Sequence, residues 1–231
     1  MIRDIEDGGP VAVLASGGAD SAALAVELAR AADRVWPIFV RFGLRWEEAE
    51  LAGLRRFLDA VGDPRIAPIV VLDEPVADIY GPEHWGVGAG PVPGLDSADA
   101  EVYLPGRNLL LATKAAVWCR LRGVDRLALG SLAGNPFPDS SAGFFDDLAG
   151  VLNRGMDGRL RIIRPYAGLG KADVLRRSPG LPWHLTFSCL APDARGRHCG
   201  ACNKCAERIR AFDRAGVPDR TEYARPRPTP L

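Results

Sequence analysis

The sequence predicts an α/β protein with a doubly wound, parallel five-stranded sheet and a C-terminal segment organised around four cysteines. Three observations lead to this fold class. Five short apolar runs alternate with longer segments of helical periodicity, which is typical of parallel strands joined by right-handed crossovers. The first run ends in a glycine-rich turn, and four of the five cysteines lie in the last fifth of the chain.

Three of the strands are predicted in the first third of the chain. Residues 11–15 (VAVLA), 35–41 (VWPIFVR) and 66–72 (IAPIVVL) are apolar runs of the length expected for buried strands. The helix predicted over 19–33 has few polar positions and should be buried on most sides. The helix predicted over 46–62 alternates apolar and charged residues at helical spacing and ends at a glycine, a common C-cap.

Residues 73–103 interrupt this alternation. The segment is rich in Gly, Pro and Asp and has no clear period. Loops of this length in a compact domain are usually functional or mobile, so we expect a lid or a substrate-binding loop.

The rest of the chain completes the predicted sheet with strands over 125–130 and 159–165. Helices are predicted over 104–123, 142–156, 170–178 and 205–216. The proline-rich end, 225–231 (RPRPTPL), is predicted to be extended or disordered. We expect two units: a nucleotide-binding core over 1–180 and a metal-binding segment over 181–231 packed on it.

Composition and charge restrict the possible functions. Lys and Arg number 29, as do Asp and Glu, and this balance argues against an extended nucleic-acid surface. No apolar run approaches the ~20 residues that cross a bilayer, and the polar N-terminus does not resemble a secretory signal. The sequence therefore predicts a cytoplasmic protein without a membrane partner.

The turn after the first strand has the residues of a phosphate-binding loop. Gly17 and Gly18 allow the backbone to turn sharply and approach a ligand closely. Ser16 and Ser21 add hydroxyl donors, and the start of the next helix presents free N–H groups and a positive dipole. Asp20 suits an anion site only if it caps the helix or contacts a magnesium ion that accompanies the phosphates. The alternative interpretation is a Gly-Gly turn with a Ser/Asp cap.

The cysteine segment has the spacing C-x9-C-x2-C-x2-C, formed by Cys189, Cys199, Cys202 and Cys205. Four thiolates at this spacing can enclose a tetrahedral zinc ion in a closed, structural site. An iron–sulfur cluster is the main alternative, although the ferredoxin pattern would need a further Cys-Pro after the last cysteine. His198 adjoins the second cysteine and can replace a ligand. Cys119, alone in an apolar helix, is expected to be a core residue.

The motifs together resemble a known family. SGGADS (16–21) matches the SGGxDS signature of the PP-loop of the ATP pyrophosphatase superfamily, which implies the adenine nucleotide alpha hydrolase-like fold. With LPGRN (104–108), GNPFPDSS (134–141) and the four-cysteine segment, the chain resembles the 7-cyano-7-deazaguanine synthase family over almost its whole length. It departs from that family's aromatic Gly-Gln motif, where it reads RFGLRWEEAE, and from its D-x-S-G-Y-P-D-C-R loop, where it reads SLAGNPFPDSS.

The resemblance implies roles for ten residues of the PP-loop core. The implied ATP-binding residues are Ser16, Gly17, Gly18, Asp20, Ser21, Asn108 and Gly130. The implied substrate-binding residues are Arg107 and Asp139, and the implied catalytic residues are Asp20, Arg107 and Lys171. For three of them a structural role remains open: a surface ion pair for Arg107, a Pro-Asp turn for Asp139 and a solvated lysine at 171.

The reaction that the resemblance implies joins 7-carboxy-7-deazaguanine and ammonia to give a nitrile, with ATP, magnesium and structural zinc as cofactors. No glutaminase module is visible, so free ammonia or a partner that makes it is the expected nitrogen source. A homodimer is also implied. Alternatives are a ligase that joins the activated carboxylate to another amine or a protein, a tRNA-modifying PP-loop enzyme, and a non-catalytic nucleotide-binding module. Residues 190–231 hold nine Lys/Arg against five Asp/Glu, which keeps the tRNA alternative open.

Overall fold

The structure, a computed structural model, describes residues 8–226 and contains the predicted parallel sheet. Its strands are β1 (Val11–Leu14), β2 (Val35–Arg41), β3 (Val70–Asp73), β4 (Arg126–Leu129) and β5 (Arg161–Ile163). They are ordered β3-β2-β1-β4-β5, and every neighbouring pair is parallel. The predicted fold class is confirmed.

Seven α-helices connect and cover the strands in the described part of the chain. They are α1 (Ala19–Ala29), α2 (Glu47–Val61), α3 (Ala77–Tyr80), α4 (Arg107–Arg122), α5 (Ala142–Met156), α6 (Lys171–Arg177) and α7 (Asn203–Ala215). Short 3-10 turns occur at Asp99–Val102, Pro138–Ser140 and Trp183–Leu185. No helix within residues 8–226 combines the length and apolar character needed to cross a membrane.

Several predicted boundaries differ: the helix predicted over 19–33 ends at Ala29, and the strand predicted over 159–165 is shortened to Arg161–Ile163. Three further differences have local reasons. Helix α4 starts at Arg107 rather than 104, because Gly106 has the left-handed φ of +77°. Helix α7 starts at Asn203 rather than 205, directly after the extended Cys202. The strand predicted over 66–72 is shortened to β3. Ile66 forms only an isolated bridge with Val35, and the proline at 68 has no N–H to donate to a ladder.

Alternate side chains of the strands pack against helices on opposite faces of the sheet. Val11 and Val13 of β1 share an apolar cluster with α1, α6 and α7. Ala12 of β1 and Ile38 of β2 belong to a second cluster with α4 and α5. Ten of the eleven residues of α1 are buried, which explains its almost wholly apolar sequence.

The segment 73–103 contains α3 and a 3-10 turn and is anchored by specific contacts. The Trp85 ring stacks on Trp46 at a centroid distance of 5.6 Å. Gly94 forms a β-bridge with Cys202, and the Asn203 side chain donates to the Ser97 carbonyl at 2.7 Å. The segment therefore joins the cysteine region to the loop after β2, and its role as a lid or substrate loop stays a prediction.

The residues after α6 pack against the core. Phe212 of α7 lies in the β1–α1 cluster, and buried Arg208 donates to Thr186, Thr221 and the Trp183 carbonyl. The division into units 1–180 and 181–231 stays a prediction. Residues 227–231 of the predicted extended tail lie outside the described residues.

Candidate active site and metal centre

The conformation of the turn between β1 and α1 depends on hydrogen bonds of its own serines and on a glycine with positive φ. Gly17 has a φ of +80°, and a Cβ there would lie 2.5 Å from the Glu50 carbonyl oxygen, so only glycine fits. The Ser16 N–H donates to Ser21 Oγ at 3.2 Å, and Ser21 Oγ donates to the Gly18 carbonyl at 3.2 Å. Helix α1 has no side-chain N-cap, so the capping role considered for Asp20 is wrong.

This turn lies where the sheet changes direction. Strand β1 is flanked by β2 on one side and by β4 on the other, and ligands of open α/β sheets bind outside such a point. Gly130 directly follows β4, and a Cβ there would lie 3.1 Å from the Ser21 nitrogen. Gly130 therefore allows the end of β4 to approach the start of α1. Its predicted contact with a nucleotide stays a prediction.

A cavity of about 220 Å³ opens above this edge of the sheet; we call it the first chamber. It brings together residues that are far apart in the chain. Seven of the predicted site residues line it: Ser16, Gly18, Asp20, Ser21, Arg107, Asn108 and Gly130. Gly17 is not among the lining residues, because its carbonyl faces the C-terminal segment and accepts the Phe187 N–H at 2.8 Å.

Two buried glutamates of α2 that are not among the predicted site residues also line the first chamber. One oxygen of Glu47 accepts the N–H groups of Phe42, Gly43 and Leu44 at 2.5, 2.9 and 3.4 Å. This carboxylate therefore holds the loop after β2 in place.

Glu50, one turn later, faces a different environment. Burial raises the pKa of its carboxyl to about 8, against the opposing charge of Arg107. A signal for both glutamates was present in the sequence. Glu47 and Glu50 share the helical face of Leu51 and Leu54, so the apolar pattern of α2 already placed them on the buried side.

Arg107 and Asn108 begin α4 beside the loop that contains Asp139. The Asn108 N–H donates to Asp139 Oδ2 at 3.0 Å, and its side-chain amide donates to the Asp139 carbonyl and Oδ1 at 3.1 and 3.3 Å. Both carboxylate oxygens of Asp139 are thus engaged at the start of α4, and the residue is 7% exposed. Its predicted contact with a substrate stays a prediction. Within the described residues, Arg107 Nε is buried without a hydrogen-bond partner.

Lys171 is an ion-paired residue rather than a solvated one. Its Nζ lies 3.3 Å from Asp20 Oδ2 and 2.8 Å from Glu207 Oε1, and Lys204 contacts the other oxygen of Glu207 at 2.7 Å. Burial alone would lower the pKa of Lys171, but the two carboxylates raise it, so the lysine remains charged. Burial would raise the pKa of Glu207, but the charges of Lys171 and Lys204 outweigh burial and lower this pKa to about 2.

Asp20 links this ion-pair group to the phosphate-binding turn. Burial raises the pKa of its carboxyl above the ordinary value, with Lys171 acting in the opposite direction. Its second oxygen, Oδ1, is buried and has no hydrogen-bond partner within residues 8–226. An unpartnered carboxylate oxygen at a phosphate-binding turn fits a ligand of magnesium.

A second chamber of about 750 Å³ adjoins the first. Both chambers are lined by Asp20, Gly130, Ser131 and Asn135. Most of the other lining residues come from three places: the loop 132–137, the start of α6 and one face of α7.

The four cysteines form a group that can hold a metal ion, as predicted. Their Sγ atoms lie within 4.8 Å of one another, with 3.9 Å between Cys199 and Cys205 and 4.0 Å between Cys189 and Cys202. A tetrahedral ion with ligands at about 2.3 Å requires Sγ atoms about 3.8 Å apart, so the group has the right size. Backbone N–H groups donate to the sulfurs of Cys189, Cys199 and Cys202, as expected around thiolates.

The neighbouring histidine is outside this group. His198 Nε2 accepts the Ser188 N–H at 3.2 Å, and its ring packs between Phe187 and Tyr223. Burial lowers the pKa of His198 to about 3, so it is neutral. Cys119 is fully buried in α4, where burial raises the pKa of its thiol to about 12. This agrees with the core role predicted for it.

Comparison with known proteins decides the family. The sequence profile described as "Queuosine biosynthesis protein QueC" matches residues 10–216. This chain belongs to the QueC family. It is 34% identical over 221 residues to the 7-cyano-7-deazaguanine synthase of Xanthomonas euvesicatoria, covering 92% of this chain and 96% of that protein. The synthase of Chlorobaculum tepidum is 28% identical over 220 residues, covering 91% and 95%.

The family resemblance predicted from the four motifs is therefore confirmed, and the identities fit a divergent member. Because the QueC relatives are synthases by name, membership supports an enzyme. Among solved structures, the U34-tRNA thiolase NcsA from Methanococcus maripaludis, which has a [4Fe-4S] cluster, matches with a TM-score of 0.50. It is 17% identical, and the match covers 91% of this chain and 67% of that one, so the likeness concerns the fold.

Proposed function

We propose that this chain converts 7-carboxy-7-deazaguanine and ammonia to 7-cyano-7-deazaguanine with ATP. One observation supports this most directly. In a member of the QueC family, the SGGADS turn borders a chamber that also contains the start of α4 and the end of β4. The backbone N–H groups at the start of α1 have no side-chain cap and can receive an anion.

The proposed chemistry activates a carboxylate, which is a poor electrophile. A carboxylate oxygen attacks a phosphorus atom of ATP, and the P–O bond to pyrophosphate or ADP breaks. Ammonia then attacks the carbonyl carbon, loses a proton and displaces AMP or phosphate, leaving an amide. A second ATP activates the amide oxygen in the same way. Loss of the two remaining amide N–H protons and cleavage of the C–O bond give the nitrile.

The residues of this chain act mainly by positioning groups and neutralising charge. The free backbone amides at the start of α1 and the Ser16 hydroxyl bind phosphate oxygens, while the Ser21 hydroxyl, which donates to the Gly18 carbonyl, keeps the shape of the turn. Lys171 supplies a fixed positive charge beside Asp20, and Arg107 brings a second cation to the first chamber. The unpartnered Oδ1 of Asp20 would hold magnesium, which screens the phosphates when it is bound.

We propose zinc for the cysteine group. Four sulfurs saturate a tetrahedral zinc ion and leave no position for water, so the ion would stabilise the fold and not take part in the reaction. The segment after Cys205 is Ala-Glu-Arg-Ile, without the Cys-Pro of the ferredoxin pattern.

The experiment is a reaction of the protein with ATP, 7-carboxy-7-deazaguanine and an ammonium salt, followed by mass spectrometry of the small molecules. We expect the mass of the nitrile and ATP consumption that depends on the acceptor. Asp20→Asn should lower turnover by roughly 100-fold, because the carboxylate that would hold magnesium and that pairs with Lys171 is lost. Asp59→Asn, at an exposed position of α2, is the matched control and should have no effect. ATP consumption that is the same without acceptor would contradict the proposal.

A second candidate is a ligase that joins the activated carboxylate to another amine or to a protein. The loop 131–141 favours it, because its sequence SLAGNPFPDSS departs from the D-x-S-G-Y-P-D-C-R pattern of the family. In the same assay, amide formation with an added amine in place of ammonia, without nitrile, would distinguish this function.

A further inference from the structure

We propose that the second chamber binds the carboxylated acceptor, a flat anionic heterocycle, and that Arg210 of α7 recognises its carboxylate. The inference rests on the proposed function and deepens it. It assigns acceptor recognition to α7 and the loop 132–137, in place of Asp139.

The position of the second chamber suits an acceptor. It shares Asp20, Gly130, Ser131 and Asn135 with the first chamber, so a molecule inside it lies beside the phosphate-binding turn. A nucleotide in the first chamber and an acceptor in the second would meet at this common wall. Two reactants held side by side in this way need no further approach by diffusion.

The charge of the second chamber suits a carboxylate. Lys204, Glu207, Arg210 and Arg214 follow one another at intervals of three or four residues and line the chamber from one face of α7. Four acidic side chains also line the chamber, and each has a partner: Glu207 pairs with Lys171 and Lys204, Asp20 with Lys171 and Asp173 with Arg176, and Asp99 accepts the Asn203 side-chain amide at 3.3 Å.

The cations at the rim are not all paired. Arg176 is paired with Asp173 at 2.6 Å. Within residues 8–226, no carboxylate forms an ion pair with Arg210 or Arg214, and both are exposed. These two arginines are therefore the cations of the chamber that remain available to an anionic ligand, and guanidinium matches carboxylate geometry.

The remaining wall suits a planar ring. Phe137 lines the chamber, and its ring is stacked on Tyr103 at a centroid distance of 5.1 Å and an angle of 28°. The Phe137 N–H donates to Asn135 Oδ1 at 3.0 Å, which orders the turn before it. A bicyclic base can stack on such a supported ring. The first half of GNPFPDSS thus faces the acceptor, while Asp139 in its second half organises α4.

The test measures binding by calorimetry to the full-length protein with three probes: 7-carboxy-7-deazaguanine, the neutral nitrile 7-cyano-7-deazaguanine, and ATP. Arg210→Gln should weaken binding of the carboxylate by roughly 10-fold, since a charge-assisted hydrogen bond is lost. Nitrile and ATP binding should change by less than about twofold, because neither uses this contact. Arg56→Gln, exposed on α2, is the matched control, and Arg210→Lys should recover part of the loss.

Two results would overturn the inference. One is an unchanged preference for carboxylate over nitrile in Arg210→Gln, with Arg214→Gln measured beside it. The other is a loss of ATP binding without a loss of carboxylate binding, which would assign the chamber to the triphosphate. Turnover separates the two proposals: if the wild type makes the nitrile while both variants keep their KM for the acceptor, the function stands and the inference fails. If the wild type makes no nitrile, the proposed function fails, and the calorimetry still reports on the chamber.

Discussion

At the scale of single residues, the site depends on groups whose surroundings differ from what their type suggests. Lys171 is a half-buried lysine held between two carboxylates, and Glu50 is a buried acid whose pKa is raised. Because Gly17 has no Cβ, the Glu50 carbonyl can pack against its Cα. Lys171 and Gly17 owe these properties to partners more than 30 residues away in the chain, whereas burial, with the nearby charge of Glu47, raises the pKa of Glu50.

Replacing Gly17 by alanine should disrupt the phosphate-binding turn. The new Cβ would meet the Glu50 carbonyl oxygen at 2.5 Å in a backbone conformation of positive φ. We expect a loss of about 1–3 kcal/mol in unfolding free energy and at least a 10-fold weaker binding of ATP. Urea unfolding and calorimetry measure the two effects. Gly143→Ala is the control, because its Cβ in α5 would meet no atom within 4 Å and stability should not fall. Equal effects at both glycines would contradict the proposed strain.

Glu50 should make stability depend on pH in a defined direction. Its pKa is about 8 in the folded protein and near the ordinary 4.5 when unfolded, so the folded state binds more protons between these values. The contribution of Glu50 to the free energy of unfolding therefore decreases as the pH rises from about 5 to 8, and the folded state becomes less stable. Glu50→Gln should remove this loss, which is on the order of 3 kcal/mol for a buried carboxyl.

The measurement is urea unfolding of the wild type and Glu50→Gln at pH 5, 6.5 and 8. Glu48→Gln serves as the control because Glu48 is an exposed residue of the same helical turn. Parallel pH profiles for wild type and Glu50→Gln would show that the carboxyl is ionised in the folded protein and would refute the assignment.

At the scale of elements, α7 connects the metal centre to the phosphate-binding turn. Cys202 directly precedes the helix and Cys205 lies in its first turn, while Glu207, half a turn later, is paired with Lys171. Lys171 in turn contacts Asp20 of α1. A metal ion at the cysteine group would lie outside both chambers. By holding the start of α7, this ion would nevertheless also keep Glu207 in position.

Loss of the metal should thus weaken nucleotide binding as well as stability. Cys205→Ser should reduce bound zinc from one ion per chain to well below one, lower the thermal midpoint by several degrees and weaken ATP binding by roughly 10-fold. Elemental analysis, thermal unfolding and calorimetry measure these. Cys119→Ala removes a cysteine outside the metal group and should keep the zinc. Bound iron and sulfide in the purified protein would contradict zinc, and full ATP binding without metal would contradict this coupling.

At the scale of the whole molecule, the strand order brings the site residues together, and ion pairing determines which of their charges remain available to a ligand. The order β3-β2-β1-β4-β5 places the ends of β1 and β4 side by side, which brings residues 16–21 next to Gly130. The chain carries 29 basic and 29 acidic residues, and the second chamber is lined by five basic and four acidic side chains, of which Arg210 and Arg214 have no ion pair within residues 8–226. A neutral total charge is therefore compatible with a local anion site. The homodimer that the family resemblance implied stays a prediction.

The fold and the metal-binding group could be predicted from the sequence because their signals are local. Alternation of apolar runs with helical periodicity follows from burial of each strand and helix, and the C-x2-C-x2-C spacing follows from the reach of a backbone around an ion. The SGGADS turn is likewise a contiguous motif. Its geometry needs only two glycines, two hydroxyls and the start of a helix.

The partners of the site residues were decided only by the tertiary structure. Asp139 is hydrogen-bonded to Asn108, Lys171 is paired with Asp20 and Glu207, and Arg210 lines the same chamber as the loop 132–137. These contacts join segments that strand order and helix packing bring together, and no local pattern encodes them. The sequence by itself therefore determined the architecture and the class of chemistry, while tertiary packing determined which charged side chains are neutralised and which remain open to a ligand.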